Sequence, residues 1–132
     1  MGYAPQFFGC DGLDGILNVE NFDTSLAENV MLLTPFAADA TDVKNYKDKF
    51  NGETPNQFAA DTYDAIYAIK AAAEKAGITA DMSASDICDA MKSAMTEITV
   101  NGLTGNITWS ADGEPTKEPK AVKIVNGSYT AM

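Results

Sequence analysis

Val30-Met31-Leu32-Leu33-Thr34 is an almost continuous apolar run that Pro35 closes. A run of this length without alternation of polar and apolar residues is typical of a strand buried on both faces. Strands of that kind occur in parallel sheets that helices cover on both sides. The run therefore predicts an α/β fold built from layers of sheet and helix.

The segments around this run predict further strands. Residues 6–8 indicate a strand that passes into a glycine-rich loop at residues 9–15. Near the C-terminus, residues 98–109 alternate and turn like a hairpin, and residues 121–125 indicate a last strand.

Three helices are predicted between the buried run and the hairpin. The first begins at Thr41 and ends at residues 51–52, and the third begins at Ser83, with Asp86 three residues on as in a capping box. The second is the strongest, with Thr54 as its N-cap and Gly77 as its end. Its period predicts a buried face made of Phe58, Tyr63, Ile66, Ile69, Ala73 and Ala76.

Composition narrows the classes of function. The chain has 132 residues, 45% of them hydrophobic, which is enough for one packed core. Its net charge is −10 and it contains no arginine, so nucleic acid and anionic membrane surfaces are disfavoured as partners. No apolar run is long enough to span a membrane, and the first residues have neither the basic nor the apolar region of a signal peptide.

The absence of histidine excludes the commonest general base and metal ligand. Cys10 and Cys88 are isolated, so they form neither a zinc motif nor a dithiol redox motif, and two buried thiols are favoured over a disulfide. We therefore expect no metal, no cofactor and no enzymatic activity.

The carboxylates give weak signals for chemistry. Asp61 and Asp64 lie three residues apart on the second helix, where such a pair is usually part of the solvated face. Asp11, Asp14 and Asp112 occupy glycine-containing loops, but none shows the register of an EF-hand calcium loop.

Two residues have both a structural and a functional interpretation. Asp11 follows the first strand, at the edge where α/β sheets bind ligands, but an Asp-Gly pair also simply forms turns. Phe58 fits either the core or the wall of a pocket. Local sequence favours the structural interpretation for both.

Four segments taken together resemble a known family. They are residues 2–12 with Phe7-Phe8-Gly9 and Asp11-Gly12, residues 33–35, residues 55–65 with Tyr63-Asp64-Ala65, and residues 102–113 with Gly102-Leu103-Thr104-Gly105. In order and spacing they resemble the C-terminal part of type I periplasmic binding proteins, most closely those of branched-chain amino acid ABC transporters.

The resemblance implies a partial periplasmic-binding-protein type I fold, with three α/β/α layers, that spans parts of two lobes. Residues 1–29 and about 118–132 would belong to the second lobe, and about 35–117 to the first. Residues 30–34 would form a hinge crossing between them.

The resemblance also implies two ligand-binding residues. Asp11 stands where the family has an acidic residue for the ligand's ammonium group, although a close family pattern has Glu. Phe58 stands where an aromatic ring lines the side-chain pocket. The groups that hold the ligand's carboxylate come from a lobe segment that this chain does not contain.

The implied function is amino acid binding between two lobes, followed by docking on an ABC permease outside the cytoplasm. We expect this chain alone to bind little and to form a homo-oligomer through exposed lobe faces. The alternative is an interaction domain without a small-molecule site, whose acidic surface serves solubility.

Overall fold

The computed structural model describes residues 2, 4–36, 44–53 and 55–132. These residues form the helices and strands of a mixed α/β fold, which confirms the predicted fold class. The chain divides into two compact units, one of Met1–Ala60 with Glu118–Met132 and the other of Asp61–Lys117. The assignment of segments to the lobes of a larger protein stays a prediction.

The first unit contains a four-stranded sheet. Its strands are β1 (Phe8–Gly9), β2 (Met31–Thr34), β5 (Lys120–Val125) and β6 (Ser128–Ala131), in that spatial order. β1 and β2 are parallel, whereas β5 is antiparallel to both of its neighbours. The sheet is therefore mixed rather than parallel throughout.

β2 is buried on one face only. Leu32 and Thr34 are buried, but Leu33 between them is 37% exposed. The prediction of burial on both faces is therefore wrong, because side chains alternate along a strand and the face with Leu33 is not fully covered in this chain. The buried face contributes to a core made of Ala27, Val30, Leu32, Val122 and Ile124.

Three short 3₁₀ helices, Asp11–Leu13, Ile16–Asn18 and Thr24–Ala27, connect β1 to β2. Gly15 lies between the first two and has a φ of 90°, which few other residues adopt. Its N–H donates to the Tyr129 hydroxyl at 2.9 Å, so this connection is held against β6.

The three predicted helices are present as α1 (Lys44–Lys49), α2 (Gln57–Ala76) and α3 (Ala84–Met95). The expected N-caps Thr41 and Thr54 lie outside the described residues.

Two of the predicted helix ends are confirmed. α2 ends at Gly77, with a φ of 64°, and the Ile78 N–H donates to the Ala73 carbonyl at 3.1 Å, as in a Schellman motif. α3 begins after Ser83, whose hydroxyl accepts the Asp86 N–H at 3.2 Å.

The buried face of α2 is not the predicted one. Its buried residues recur at every fourth position or nearly so: Gln57, Ala60, Asp64, Ala68 and Ala72. Phe58 is 57% exposed, and Ile66 and Ile69 are more than half exposed. The prediction failed because the alanine stripe packs into the core of the second unit with Ala94, Ile98 and Val100.

Asp64 is buried in the second unit, so its placement on a solvated face is wrong. Its carboxylate accepts the N–H groups of Leu103 and Thr104 at 2.7 and 2.8 Å and the Thr104 hydroxyl at 2.7 Å, while only 2% of the residue is exposed. Leu103 and Thr104 form the turn between β3 (Val100–Gly102) and β4 (Gly105–Ile107), which confirms the predicted hairpin. A Cβ on Gly102 would collide with this carboxylate.

The cysteines also differ from expectation, because Cys10 and Cys88 are both free and exposed rather than buried. Among the residues that the structure describes, no helix is both long and apolar enough to cross a membrane.

Asp64→Ala should lower the free energy of unfolding by about 3 kcal/mol, because it leaves two buried backbone N–H groups without an acceptor. Gly102→Ala should also lower the free energy of unfolding, because its new Cβ collides with the Asp64 carboxylate. In the double variant with Asp64→Ala this carboxylate is gone, so its loss of stability should be clearly smaller than the sum of the two single losses. Urea unfolding of the four proteins measures this coupling.

Asp61→Ala on the same helix is the matched control. It removes a part-exposed ion pair, 2.7 Å between Asp61 Oδ1 and Lys117 Nζ, and should cost less than about 1 kcal/mol. Additive losses in the double variant, or a loss for Asp64→Ala as small as this control, would contradict the assigned role of Asp64.

Tyr129→Phe should lower the free energy of unfolding by about 1 kcal/mol at neutral pH, because the Gly15 N–H loses its acceptor. Burial also raises the pKa of the Tyr129 phenol above its ordinary value of 10.0. The unfolded chain therefore releases this proton first, and stability falls as the pH rises above about 10.

In Tyr129→Phe this alkaline loss of stability should be shallower. The alkaline loss of stability should not vanish in this variant, because Tyr63 also contributes to it. The hydrogen bond to Tyr67 raises the pKa of Tyr63 to about 12, so this phenol too loses its proton more readily in the unfolded chain. Urea unfolding at about pH 8 and about pH 10.5 gives both slopes. Equal slopes for the variant and the wild type would refute the contribution of Tyr129.

Candidate functional site

The first unit contains a cavity of about 470 Å³, a volume within the range of small-molecule sites. The helical connection between β1 and β2, the end of β2, the residues before α2 and the β5–β6 hairpin line it. Its lining residues are Asp14, Gly15, Leu17, Asn18, Thr24, Thr34, Phe36, Pro55, Asn56, Val122, Gly127, Ser128 and Tyr129.

Beside the cavity lies a hydrogen-bonded group of three side chains, Asp14, Thr34 and Gln57. The Thr34 hydroxyl donates to Gln57 Oε1 at 3.1 Å, with Asp14 Oδ2 as a second acceptor 3.4 Å away. It also accepts the Phe36 N–H at 3.2 Å. Asp14 Oδ2 accepts the backbone N–H of Gln57 at 3.2 Å, so the end of β2 and the start of α2 are tied to one carboxylate.

Gln57 extends this group to the glycine-rich loop. Its Nε2 donates to the Asp11 carbonyl at 2.9 Å, and the residue is only 1% exposed. The turn that carries Asp11 and the first turn of α2, where Phe58 follows Gln57, are therefore neighbours in the first unit.

The two predicted ligand-binding residues lie at the surface. Asp11 is exposed at the start of the 3₁₀ helix that follows β1, and Phe58 is exposed near the start of α2. The interpretation of Phe58 as a core residue is wrong. Neither side chain lines the 470 Å³ cavity, and Gln57 brings together the backbone segments that carry them.

Sequence reasoning missed Thr34 and Gln57, and it considered Asp14 only as a calcium ligand. A polar residue that ends an apolar strand was the one available signal for Thr34. Gln57 gave none, because its side-chain partners lie 23 and 46 residues away in sequence. Within the described parts of the chain, no three His, Cys, Asp or Glu side chains are grouped so that they could hold a metal ion.

Solved structures similar to this fold include leucine-, substrate- and solute-binding proteins. The leucine binding protein LivK of Thermotoga maritima is 24% identical, with a TM-score of 0.72. The substrate binding protein LivJ of Streptococcus pneumoniae, solved with isoleucine, is 24% identical with a TM-score of 0.75. A solute binding protein of R. palustris, solved with benzoate, is 16% identical with a TM-score of 0.75.

These alignments include 99%, 99% and 96% of this chain, respectively, but the chain spans only 37%, 37% and 35% of the three structures. At these identities the likeness establishes the fold. No curated protein sequence matches the chain.

Family membership is shown at the level of sequence. A family model described as "Periplasmic binding protein" matches residues 9–128, which is nearly the whole chain. The match includes residues 9–12 of the first segment on which the resemblance was based, and the other three segments in full. The chain therefore belongs to the periplasmic binding protein family.

Proposed function

We propose that this chain supplies part of the ligand site of an ABC transporter solute-binding protein that takes an amino acid with an apolar side chain. The observation that carries the proposal is the 2.9 Å bond from Gln57 Nε2 to the Asp11 carbonyl. It holds a turn with an exposed carboxylate beside a helix start with an exposed ring. Asp11 would bind the ligand's ammonium group, and Phe58 would contact its side chain.

Charge favours an amino acid over a simple carboxylic acid. The structures with this fold were solved with isoleucine in one case and benzoate in another, and both ligands are carboxylates. A carboxylate at position 11 attracts an ammonium group, whereas it repels a ligand that is only an anion. Leucine and isoleucine fit this requirement, and benzoate does not.

The proposed mechanism is binding without chemistry. Two lobes close on the amino acid, and the closed form docks on the permease of the transporter outside the cytoplasm. The ligand's carboxylate would be held by lobe segments beyond this chain. The isolated chain should therefore bind with a Kd in the range of about 1 mM or weaker.

A second candidate function is self-association without a small-molecule site. It is favoured by the position of Asp11 in a short exposed turn and by the absence of both Asp11 and Phe58 from the cavity lining. The two candidates are distinguished by whether the chain responds to an ammonium group at Asp11.

Leucine should shift the backbone amide NMR signals of the Asp11 turn and of the start of α2, and isocaproate should shift them much less. Isocaproate is leucine without its ammonium group, so the difference isolates the contact with Asp11. Asp11→Asn should reduce the preference for leucine about ten-fold, because a charge-assisted pair is replaced by a neutral contact. Phe58→Ala should weaken both ligands alike.

Glu20→Gln is the matched control, because it removes an exposed carboxylate from the same connection between β1 and β2 that is not part of the Asp14–Thr34–Gln57 group. It should leave the preference for leucine largely in place. A wild-type chain that responds to leucine and isocaproate equally would contradict the proposed role of Asp11, and one that responds to neither would support the second candidate.

The chain should also self-associate through the outer edge of β1. β1 is an outer strand of the sheet, and Phe7 and Phe8 are both more than 60% exposed beside that edge. Such an edge pairs readily with a second copy. Light scattering should give a mass that rises with concentration above 14.0 kDa, and Phe8→Lys should restore the monomer.

Thr130→Lys places the same charge on β6, the opposite edge of the sheet, and should leave the association unchanged. A mass of 14.0 kDa at every concentration would rule the association out.

A further inference from the structure

The Asp11 turn is fixed by two donors to one carbonyl. The Asp11 carbonyl accepts the Asp14 N–H at 2.9 Å, which closes the 3₁₀ turn, and Gln57 Nε2, also at 2.9 Å. A carbonyl oxygen has two lone pairs, so both of its acceptor positions are used. The first bond lies within the turn. The second joins the turn to the side chain of Gln57, the first residue of α2.

The hydrogen bonds also fix which way the Gln57 amide points. Its Oε1 accepts from the Thr34 hydroxyl, and this leaves Nε2 for the Asp11 carbonyl. Asp14 Oδ2 accepts the backbone N–H of Gln57 and so holds the residue at its backbone nitrogen. With 1% of the residue exposed, a reversed amide would leave buried polar atoms unsatisfied, which is costly.

We propose that Gln57 is the positioning residue of the ligand site. It fixes the Asp11 turn against the start of α2, so that the carboxylate meets the ammonium group of a ligand whose side chain lies on Phe58. Gln57 is buried beneath the turn and does this without touching the ligand. This inference rests on the proposed function, because it concerns the same site.

A charged contact depends steeply on geometry, which is why such a residue affects selectivity. The attraction between a carboxylate and an ammonium group is strongest at hydrogen-bonding distance. A displaced turn would separate the two groups or admit water between them, and either change weakens the attraction. Loss of the Gln57 bond should therefore reduce the preference for leucine over isocaproate. It should affect the contact of the side chain with Phe58 less.

Two variants test this inference in the full chain. Gln57→Leu keeps the approximate volume but removes the side-chain hydrogen bonds. Gln57→Glu keeps the shape. Measured at a pH high enough to ionise the new carboxyl group, it still accepts from Thr34 but cannot donate to the Asp11 carbonyl. Both should lower the leucine preference about five-fold or more and should speed hydrogen exchange at the Asp14 amide.

Thr104→Val is the matched control. It removes a buried hydroxyl from the other unit, where Thr104 donates to Asp64, and so lowers global stability without touching the Asp11 turn. It should change neither the leucine preference nor the exchange rate of Asp14, when both are measured under conditions where the protein stays folded. If Gln57 only stabilises the fold, its variants should likewise leave the leucine preference and the exchange rate of Asp14 unchanged.

The outcomes separate the inference from the proposed function. If the wild-type chain prefers leucine and the folded Gln57 variants keep that preference, the positioning role is refuted and the proposed function stands. If the wild-type chain shows no preference, the proposed function fails and the inference fails with it. If Gln57→Leu does not fold, Gln57→Glu and Thr34→Val, which removes the hydroxyl that orients the amide, carry the same test.

Discussion

Burial of the Gln57 side chain is the constraint on which the first unit depends. A primary amide taken out of water must find partners for its carbonyl and its N–H groups, or it costs several times what one hydrogen bond contributes. In this chain the partners are Thr34 at the end of β2 and the turn that follows β1. Satisfying one buried amide therefore fixes the first turn of α2 relative to two strands of the sheet.

Asp64 meets the same constraint in the second unit, two helical turns further along α2. Its carboxylate is buried, and backbone N–H groups of the β3–β4 turn and one hydroxyl satisfy it. These donated hydrogen bonds compensate the loss of water around the buried carboxylate. In both units a polar side chain of α2 holds a turn by bonding to its backbone, while the buried alanines of the same helix, Ala60, Ala68 and Ala72, allow close packing.

Local signals explain what the sequence could predict. Gly77 and Ser83 act through backbone geometry and hydrogen bonds within a few residues, so the helix ends were visible without a structure. The hairpin within residues 98–109 was visible for the same reason, but the exact position of its two-residue turn was not predicted. The orientation of α2 was not, because an alanine stripe and a stripe of Phe58, Ile66 and Ile69 both have a helical period, and only tertiary packing decides between them.

The distinction between local signals and contacts distant in sequence also applies to the candidate site. Asp11 and Phe58 were found through a family pattern, whereas Gln57 acts through partners 23 and 46 residues away that no local pattern marks. Asp11 is also one methylene shorter than the Glu of the related pattern, so the position of its carboxylate follows the backbone more closely. A short acidic side chain has less freedom to correct a misplaced turn. Where the acidic residue is Asp, recognition of an ammonium group should therefore depend more strongly on the buried amide that holds its turn.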